Sequence, residues 1–467
     1  MAWQVIFFLT VLINLKKIIL TFSTIDHQII KTNMTQQALG KYRWTICSLV
    51  FFATTINYLD RAVISLLKKT LSAELQWTET DYGNIVIAFQ LSYAFGLLGA
   101  GRLIDKLGTK IGYGLATFLW SIAAVAHAFA KSTFGFGMAR AALGVTEAGN
   151  FPAAIKTVAE WFPKKERALA TGIFNSGTSI GAILAPLTVP FIAGKWGWQW
   201  AFILTGLIGF IWLIFWFWLY EIPAKQKRLS PTEFDYIHSD KDEAIVEGAT
   251  SPEEKVTWSR LLAFKQTWAF SLGKFLTDPI WWFYLFWLPD FLDKEYHLSG
   301  TAVSLPIALV YTMAGAGSIF GGWLPMNFIK HNWPVFKARR TSMFIYAICV
   351  LPVVFAQWLG SMNMWLAVII IGFAAAAHQA WSANIFTTVS DMFPKKAVAS
   401  VTGIGAMFGA LGGVLIARLA PKLFEHYKEL GHVQTGYYIM FIICGLAYLT
   451  ARLLMTALVP KEKPIQL

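Results

Sequence analysis

The chain has 467 residues, of which 56% are hydrophobic and only 14% are charged. A soluble domain carries about a quarter charged residues, and a soluble fold of this composition would expose large apolar patches to water. The formal net charge of +13 is spread over short loops between apolar runs rather than gathered in one basic patch. Composition and charge therefore exclude a soluble enzyme and a nucleic-acid binder, and they indicate a membrane protein.

Twelve apolar runs are each roughly 20 residues long, which is the length that an α-helix needs to cross a bilayer. They predict an all-α membrane protein with twelve transmembrane helices, divided six and six by the polar stretch 223–265. The predicted spans are 44–66, 81–101, 111–130, 134–158, 168–192, 200–221, 267–292, 303–329, 342–359, 362–388, 397–420 and 436–458.

The order of these runs predicts five regions along the chain. An N-terminal extension (1–40) precedes a six-helix bundle (41–222), a cytoplasmic linker (223–265), a second six-helix bundle (266–460) and a short cytoplasmic tail (461–467). The extension contains an apolar run at 5–15 that two lysines end before it could span a bilayer, and no small-residue cleavage site follows. We therefore take Met34 as the candidate true start, with residues 1–33 either an upstream artefact or a loosely held interfacial segment.

Basic residues in the loops predict the orientation of the chain. Loops after even-numbered spans, together with the C-terminal tail, hold 21 Lys and Arg, whereas loops after odd-numbered spans hold seven. Because basic loops stay in the cytoplasm, both termini and the central linker are predicted to be cytoplasmic. The expected location is a bacterial inner membrane.

The two halves of the chain repeat each other at an offset of 231 positions. The tetrapeptide 162–165 (FPKK) recurs at 393–396, and the register persists to Gly181 and Gly412. Parallel repeats of this kind are known from two-bundle transporters, in which the substrate site lies between the bundles near the bilayer midplane. The repeat predicts the same arrangement here.

Four ionisable residues interrupt the first and fourth spans. Asp60 and Arg61 lie in the first, and Arg140 and Glu147 lie two helical turns apart in the fourth. A charge at mid-bilayer is costly, so such residues are kept when they are paired or used. In the functional interpretation one carboxylate pairs with an arginine in one state and takes a proton in the other. The remaining arginine binds an anionic substrate. In the alternative, two structural ion pairs join the spans.

The seventh span begins with a second pair of charges. Lys274 and Asp278 are four residues apart, which favours a local ion pair near the cytoplasmic end, and Pro279 is expected to break the helix. The aromatic run 280–287 (IWWFYLFW) follows. Since the C–H face of a sugar ring stacks on indole, we expect at least one aromatic side chain at 281, 282 or 284 to line the cavity, with Trp282 as the candidate.

Polar residues in the fifth and tenth spans need hydrogen-bond partners inside the membrane. The tenth span contains His378, Gln379 and Asn384, and the fifth contains Asn175. A hydroxyl-rich substrate or neighbouring helices could provide these partners. We name His378, Gln379 and Asn175 as candidate substrate-binding residues.

The loop between the second and third spans reads GRLIDKLGTK (101–110). A carboxylate with basic neighbours and turn glycines at the mouth of a transporter predicts a latch that can break. Asp105 would cap a helix N-terminus or pair with a base in the closed state. The candidate gating residues are Gly101, Asp105, Lys106 and Gly108, and the matching place in the second half (321–340) keeps glycines and bases but lacks the acid.

These motifs resemble the major facilitator superfamily over residues 40–460. More narrowly, residues 57–61 (NYLDR) and the charges at 140 and 147 resemble the anion:cation symporter family of organic-anion carriers. Residues 274–289 and 378–384 (HQAWSAN) resemble its bacterial hexuronate transporters. The resemblance implies proton-coupled uptake of galacturonate and glucuronate by alternating access.

The resemblance also implies roles for individual residues. Asp60 and Glu147 would carry protons, Arg140 would partner Asp60, and Arg61 would meet the substrate carboxylate. The tyrosines of the substrate pocket would be Tyr58 and Tyr93. Carriers of the aldonate branch tend to have Gln and Asn at positions 178 and 406, where this chain has Thr and Ala. The difference weakens an aldonate assignment and is compatible with a ring-form uronate.

Other functions remain as alternatives. The nearest is a proton-coupled carrier of another organic anion, such as galactonate, glucarate or a dicarboxylate. A membrane-bound transferase and a non-transporting receptor are disfavoured, because the histidines in the loops lack paired acids at useful spacing. We expect no enzyme activity and no metal or other cofactor beyond the coupling proton. The expected partners are a small sugar-acid anion and the lipid bilayer, with no nucleic acid, and the chain is expected to act as a monomer.

Overall fold

The computed structural model describes residues 39–240, 257–298, 304–461 and 465. Throughout these ranges the chain forms helices and their connections, without a β-strand. The predicted extension 1–40, including the candidate start Met34, lies outside the described residues except for its last two positions.

The first half contains seven α-helices that form six spans, as the hydropathy pattern predicts. They are α1 (Tyr42–Leu75), α2 (Glu79–Leu107), α3 (Thr109–Ala126), α4 (Thr133–Glu147), α5 (Asn150–Trp161), α6 (Lys164–Trp196) and α7 (Trp198–Leu219). The fourth span, predicted as one helix over 134–158, is divided into α4 and α5. Pro152 has no N–H to donate to the carbonyl of Ala148, which explains why the helix is interrupted there.

Two short α-helices lie in the described part of the connection between the halves, which excludes residues 241–256. They are α8 (Pro231–Ile237) and α9 (Trp258–Leu262), within the predicted linker. The buried carboxylate of Glu233 on α8 accepts hydrogen bonds from the backbone N–H groups of Tyr42 (3.0 Å) and Arg43 (3.1 Å). The linker therefore caps the free N–H groups at the start of α1 and is fastened to the first half.

The second half also contains seven α-helices that form six spans. They are α10 (Lys265–Tyr296), α11 (Ser304–Lys330), α12 (Val335–Val350), α13 (Ala356–Met362), α14 (Met364–Met392), α15 (Val398–Glu429) and α16 (Val433–Leu458). A 3₁₀ turn over Leu351–Phe355 joins α12 to α13 within the ninth span. Pro352 lies in that turn and cannot donate to the carbonyl of Ile348, so the regular helix ends before it.

The predicted break at Pro279 is wrong, because α10 continues through both Pro279 and Pro289. Pro279 leaves the carbonyl of Phe275 without its helical donor. Gly412 on α15 packs directly over this carbonyl and the proline ring. The small residue lets the neighbouring helix cover the interruption, so the helix need not unwind.

The described helices form a multi-pass membrane protein. Ten segments are long and apolar enough to cross a bilayer. The other two spans are the divided fourth span and α10, which carries the Lys274–Asp278 ion pair. The fold is therefore the predicted twelve-helix, two-bundle architecture.

The two halves meet mainly where α2 packs along α15 and α6 packs along α11. Their contact is tightest at the end of the molecule where α2 ends and α6 and α15 begin, which we call the closed end. There a Cβ on Gly101 of α2 would lie 2.4 Å from the carbonyl oxygen of Ala399 on α15. The backbones approach so closely that only glycine fits at this position.

Candidate functional site

A cavity of about 570 Å³, open solvent included, lies between the two halves, at the middle of the long helices. Side chains from α1, α2, α5 and α6 line it on one side, and side chains from α10, α14 and α15 line it on the other. All seven predicted substrate-binding residues contribute to its wall. They are Tyr58, Arg61, Tyr93, Asn175, Trp282, His378 and Gln379.

Arg61 places a cation at the wall of this cavity. Its Nε lies 2.6 Å from Oε2 of Glu147 on α4, and the side chain of Arg61 is 11% exposed whereas that of Glu147 is fully buried. The guanidinium carbon lies 4.9 Å from the ring centroid of Tyr58 and 4.3 Å from that of Tyr93, which adds cation–π attraction. Its Nη2 is buried and makes no hydrogen bond to any described residue, so this donor of the fork is left without an acceptor.

Asp60 faces a different direction from Arg61, because consecutive residues of a helix point about 100° apart. Its carboxylate is buried, and neither oxygen accepts a hydrogen bond from the described residues. Arg140 is also buried, but its Nη2 donates to the carbonyl of Arg61 (3.2 Å) instead of to Asp60. The pairing of Arg140 with Asp60 that the resemblance implies is absent from this state, and it stays a prediction for another one.

The acids and bases of the first and fourth spans thus form one buried cluster. Arg61 lies between the cavity and Glu147, while Asp60 and Arg140 lie behind it. The alternative of two structural ion pairs is only half realised, since one pair forms and Asp60 is left without a hydrogen bond. A buried carboxylate without a hydrogen bond is costly even with Arg140 in its electrostatic reach, which favours a functional interpretation.

The second half presents another ion pair to the cavity. Lys274 Nζ lies 2.8 Å from Oδ2 of Asp278, so the predicted local pair is present. Both residues line the central cavity, however, rather than lying near one end of the span. Lys274, Asp278, Trp281 and Trp282 lie at positions i, i+4, i+7 and i+8 of one helix. This helical spacing is a signal that could have placed the pair at the site.

The aromatic and polar candidates of the second half are held by their neighbours. The imidazole of His378 stacks on Trp281 with ring centroids 5.3 Å apart, and its Nδ1 lies 2.5 Å from the hydroxyl oxygen of Tyr448. Trp281 and Trp282 both line the cavity, which confirms the expectation for the aromatic run. Asn384 donates to the carbonyl of Gly321 (2.6 Å), so its partner is a neighbouring helix.

Asn175 and Gln379 meet across the cavity. The side-chain N–H of Asn175 donates to Oε1 of Gln379 (2.7 Å) and to the hydroxyl of Ser318 (3.0 Å). This bridge joins α6 of the first half to α11 and α14 of the second. A substrate that binds these amides therefore also acts on the contact between the halves. Thr178 and Ala406, the two positions at which the aldonate branch differs, also line the wall. Sequence reasoning did not single out its other members, which are Phe151, Ser382, Phe386 and Ala410.

The predicted latch is formed at the closed end. Asp105 Oδ1 pairs with Lys156 (2.9 Å), and its Oδ2 accepts hydrogen bonds from the backbone N–H (2.7 Å) and hydroxyl (2.6 Å) of Ser400. Ser400 lies in the first turn of α15, so Asp105 both pairs with a base and caps a helix of the other half. Gly108 joins α2 to α3 with a φ of +78°, and Lys106 is exposed and makes no such link in the described structure.

Arginines complete the latch, and sequence reasoning did not name them. Arg167 Nη1 donates to the carbonyl of Ser390 (2.5 Å), and Arg339 Nη2 donates to the carbonyl of Lys164 (2.7 Å). Arg339 also pairs with Asp391 (3.0 Å). Arg339 lies in the second-half counterpart of the GRLIDKLGTK loop, so a base there provides the contact across the halves that an acid provides in the first.

Comparison with known proteins identifies the family. The hexuronate transporter of Escherichia coli (strain K12) is 32% identical over 82% of this chain and 87% of its own length. The galacturonate transporter of Dickeya chrysanthemi is 35% identical over 62% of this chain and 83% of its own length. A solved proton:xylose symporter, bound to 6-bromo-6-deoxy-D-glucose, superposes with a TM-score of 0.69 at 15% identity, covering 91% of this chain and 98% of that one. The family model of the Major Facilitator Superfamily matches residues 50–417. The chain therefore belongs to the major facilitator superfamily of membrane transporters.

Proposed function

We propose that this protein is a proton-coupled symporter that imports hexuronates, such as galacturonate and glucuronate, by alternating access. The names of the similar proteins support a sugar acid as the substrate. The observation that carries the proposal is Arg61, whose guanidinium lies at the cavity wall with Nη2 free of hydrogen bonds to the described residues. A bidentate arginine recognises the planar carboxylate of a uronate.

Coupling follows from competition for Arg61. Glu147 holds the guanidinium at 2.6 Å in this structure. When Glu147 takes a proton, the attraction is lost and Arg61 is free to bind the substrate carboxylate. When Glu147 loses the proton, it competes for Arg61 again and promotes release. Asp60 is proposed as a second proton carrier, because its carboxylate is buried beside the same cluster without a hydrogen-bond donor in the described structure.

The rest of the cavity suits a polyhydroxylated ring. Trp282 offers an apolar face for the ring C–H groups, and Asn175, Gln379 and His378 offer donors and acceptors for hydroxyls. The bridge between Asn175 and Gln379 gives the substrate a way to bias the contact between the halves. Substrate binding would then change the relative stability of the two access states, as alternating access requires.

The orientation and assembly complete the proposal. The positive-inside rule supports a cytoplasmic location for the closed end, both termini and the linker, and this structure would then be closed toward the cytoplasm. We propose that the protein acts as a monomer in the inner membrane, as a transporter and not as an enzyme, with the proton as its coupling ion.

Uptake by proteoliposomes tests this function. Labelled galacturonate should accumulate when the outside is made acidic, and unlabelled glucuronate should compete for uptake. Arg61→Ala should abolish binding and uptake. Glu147→Gln should abolish the response to the pH gradient while galacturonate counterflow persists, and Glu425→Gln, at an exposed site, should behave like the wild type.

Two results would contradict the proposal. Galacturonate accumulation by the wild type that ignores the pH gradient would rule out proton coupling. If galactonate, glucarate or a dicarboxylate displaced galacturonate completely at much lower concentration, the alternative of a carrier for another organic anion would replace it.

A further inference from the structure

The two ion pairs that flank the cavity have opposite polarity. In the first half the base is the more exposed partner, with Arg61 at 11% and Glu147 at 0% side-chain exposure. In the second half the acid is the more exposed partner, with Asp278 at 18% and Lys274 at 5%. The more exposed charge at the cavity wall is therefore a cation in one half and a carboxylate in the other, although Lys274 also lines the cavity.

The position of the second pair is defined by its packing. Lys274 Nζ lies 3.9 Å from the ring centroid of Phe386, so the ammonium is held between an aromatic face and Asp278. Asp278 packs against Gly409 of α15, where a side chain would occupy its place. Across the cavity, Asp278 lies within electrostatic reach of Tyr58 on α1. The carboxylate thus faces the same space as the tyrosine that stacks on Arg61.

A carboxylate in this position has a definite recognition chemistry. It accepts hydrogen bonds from sugar hydroxyls, and it repels a second anionic group. A ring-form hexuronate has one carboxylate and presents hydroxyls at its opposite end, so it matches a cation facing an acid. An aldarate has a carboxylate at each end, so when one end binds Arg61 the other end is directed toward the acid of the second pair.

We propose that the Lys274–Asp278 pair is a specificity determinant that accepts the hydroxyl end of a monocarboxylate sugar acid and rejects dicarboxylates. This inference rests on the proposed function, because it takes Arg61 as the site of the substrate carboxylate. Lys274 orients Asp278 and compensates its charge enough for burial, while Asp278 makes the contact with the substrate.

Competition assays on the reconstituted full chain test the pair. The probes are galactarate, which carries two carboxylates, and galactonate, an open-chain monocarboxylate that separates ring opening from the second charge. Each is titrated against uptake of labelled galacturonate. In the wild type galactarate should compete worst. In Asp278→Asn the affinity for galactarate relative to galactonate should rise at least about tenfold, because the repulsion is removed and Lys274 becomes an unpaired cation.

Two further variants support the interpretation. Asp293→Asn makes the same change at an exposed position near the end of the same helix, and it should leave the ratio as in the wild type. The double variant Lys274→Gln/Asp278→Asn removes both charges and should give a smaller increase than Asp278→Asn alone. The double variant also keeps the inference testable if Lys274 without its partner prevents Asp278→Asn from folding. Its ratio of galactarate to galactonate affinity should still exceed that of the wild type.

The outcomes separate the two proposals. Suppose that the wild type transports galacturonate but the ratio of galactarate to galactonate affinity is unchanged in Asp278→Asn. This result would overturn the specificity role alone. If Asp278→Asn does not fold, the same ratio in the double variant decides the question. If the wild type transports galactonate but no uronate, the proposed substrate fails, and the same ratio measured on labelled galactonate still decides the role of the pair. Strong uptake of galactarate by the wild type would overturn this inference directly.

Discussion

Asp60 and Glu147 are both buried acids of the first half, but they differ in what surrounds them. Glu147 holds Arg61 at 2.6 Å, whereas the carboxylate of Asp60 accepts no hydrogen bond in the described structure. Removing one partner of a buried ion pair leaves the charge of the other partner uncompensated. Neutralising a buried acid that accepts no hydrogen bond instead removes a poorly compensated charge. The two positions therefore have opposite expected effects on stability.

We predict that Glu147→Gln lowers the free energy of unfolding by about 3 kcal/mol, the low end for a broken buried pair because Arg61 keeps its aromatic contacts. Asp60→Asn should leave stability unchanged or raise it. The unfolding midpoint of the purified protein, followed by tryptophan fluorescence, measures both. Saturating galacturonate should restore part of the loss in Glu147→Gln, because its carboxylate replaces the missing partner. A larger loss in Asp60→Asn than in Glu147→Gln would contradict this account.

Helices in this chain are defined by length and hydropathy, which is why their number and approximate positions follow from the sequence. Breaks within them depend on the neighbouring helices as well. A proline at position 152 contributes to the division of the fourth span, whereas one at 279 is tolerated because Gly412 of α15 covers the exposed carbonyl. No local pattern distinguishes these two cases, since the covering residue is 133 positions away in the sequence.

The crossing of α2 and α15 depends on the backbone contact at Gly101. A methyl group there would lie 2.4 Å from the carbonyl oxygen of Ala399, whereas one on Gly99, two residues earlier in α2, would meet nothing within 4 Å. We predict that Gly101→Ala separates the helices at the closed end and strongly reduces galacturonate uptake. Gly99→Ala is the matched control, and it should keep the helix separation and the galacturonate uptake near their wild-type values.

Distances between spin labels at Leu107 and Lys330, on opposite halves at the closed end, measure this separation. Gly101→Ala should shift the distance distribution to longer values, because the closed state no longer packs. An unchanged distribution together with normal uptake would show that the crossing tolerates a side chain, and the close approach would then have no role in gating.

At the scale of the whole molecule, the site was only partly predictable. Residues at 58, 61 and 93 were expected in one pocket because the resemblance to a known family implies it, and all three line the central cavity. The opposite polarity of the two ion pairs was not expected. Which partner of a pair faces the cavity depends on packing against Glu147 in one half and against Phe386 and Gly409 in the other, and spacing alone does not contain that information.

The direction of transport depends on which side of the membrane the closed end faces. Loops at that end and the C-terminal tail carry 21 of the basic residues counted in the loops, against seven at the other end, so the closed end is expected in the cytoplasm. We predict that a cysteine at Leu107, in a background without the three native cysteines, reacts with a membrane-impermeant maleimide only after cells are opened. A cysteine at Lys195, exposed at the opposite end, should react in intact cells. The reverse pattern would place the latch outside. The present structure would then be closed toward the outside of the cell, and the orientation proposed for uptake would be wrong.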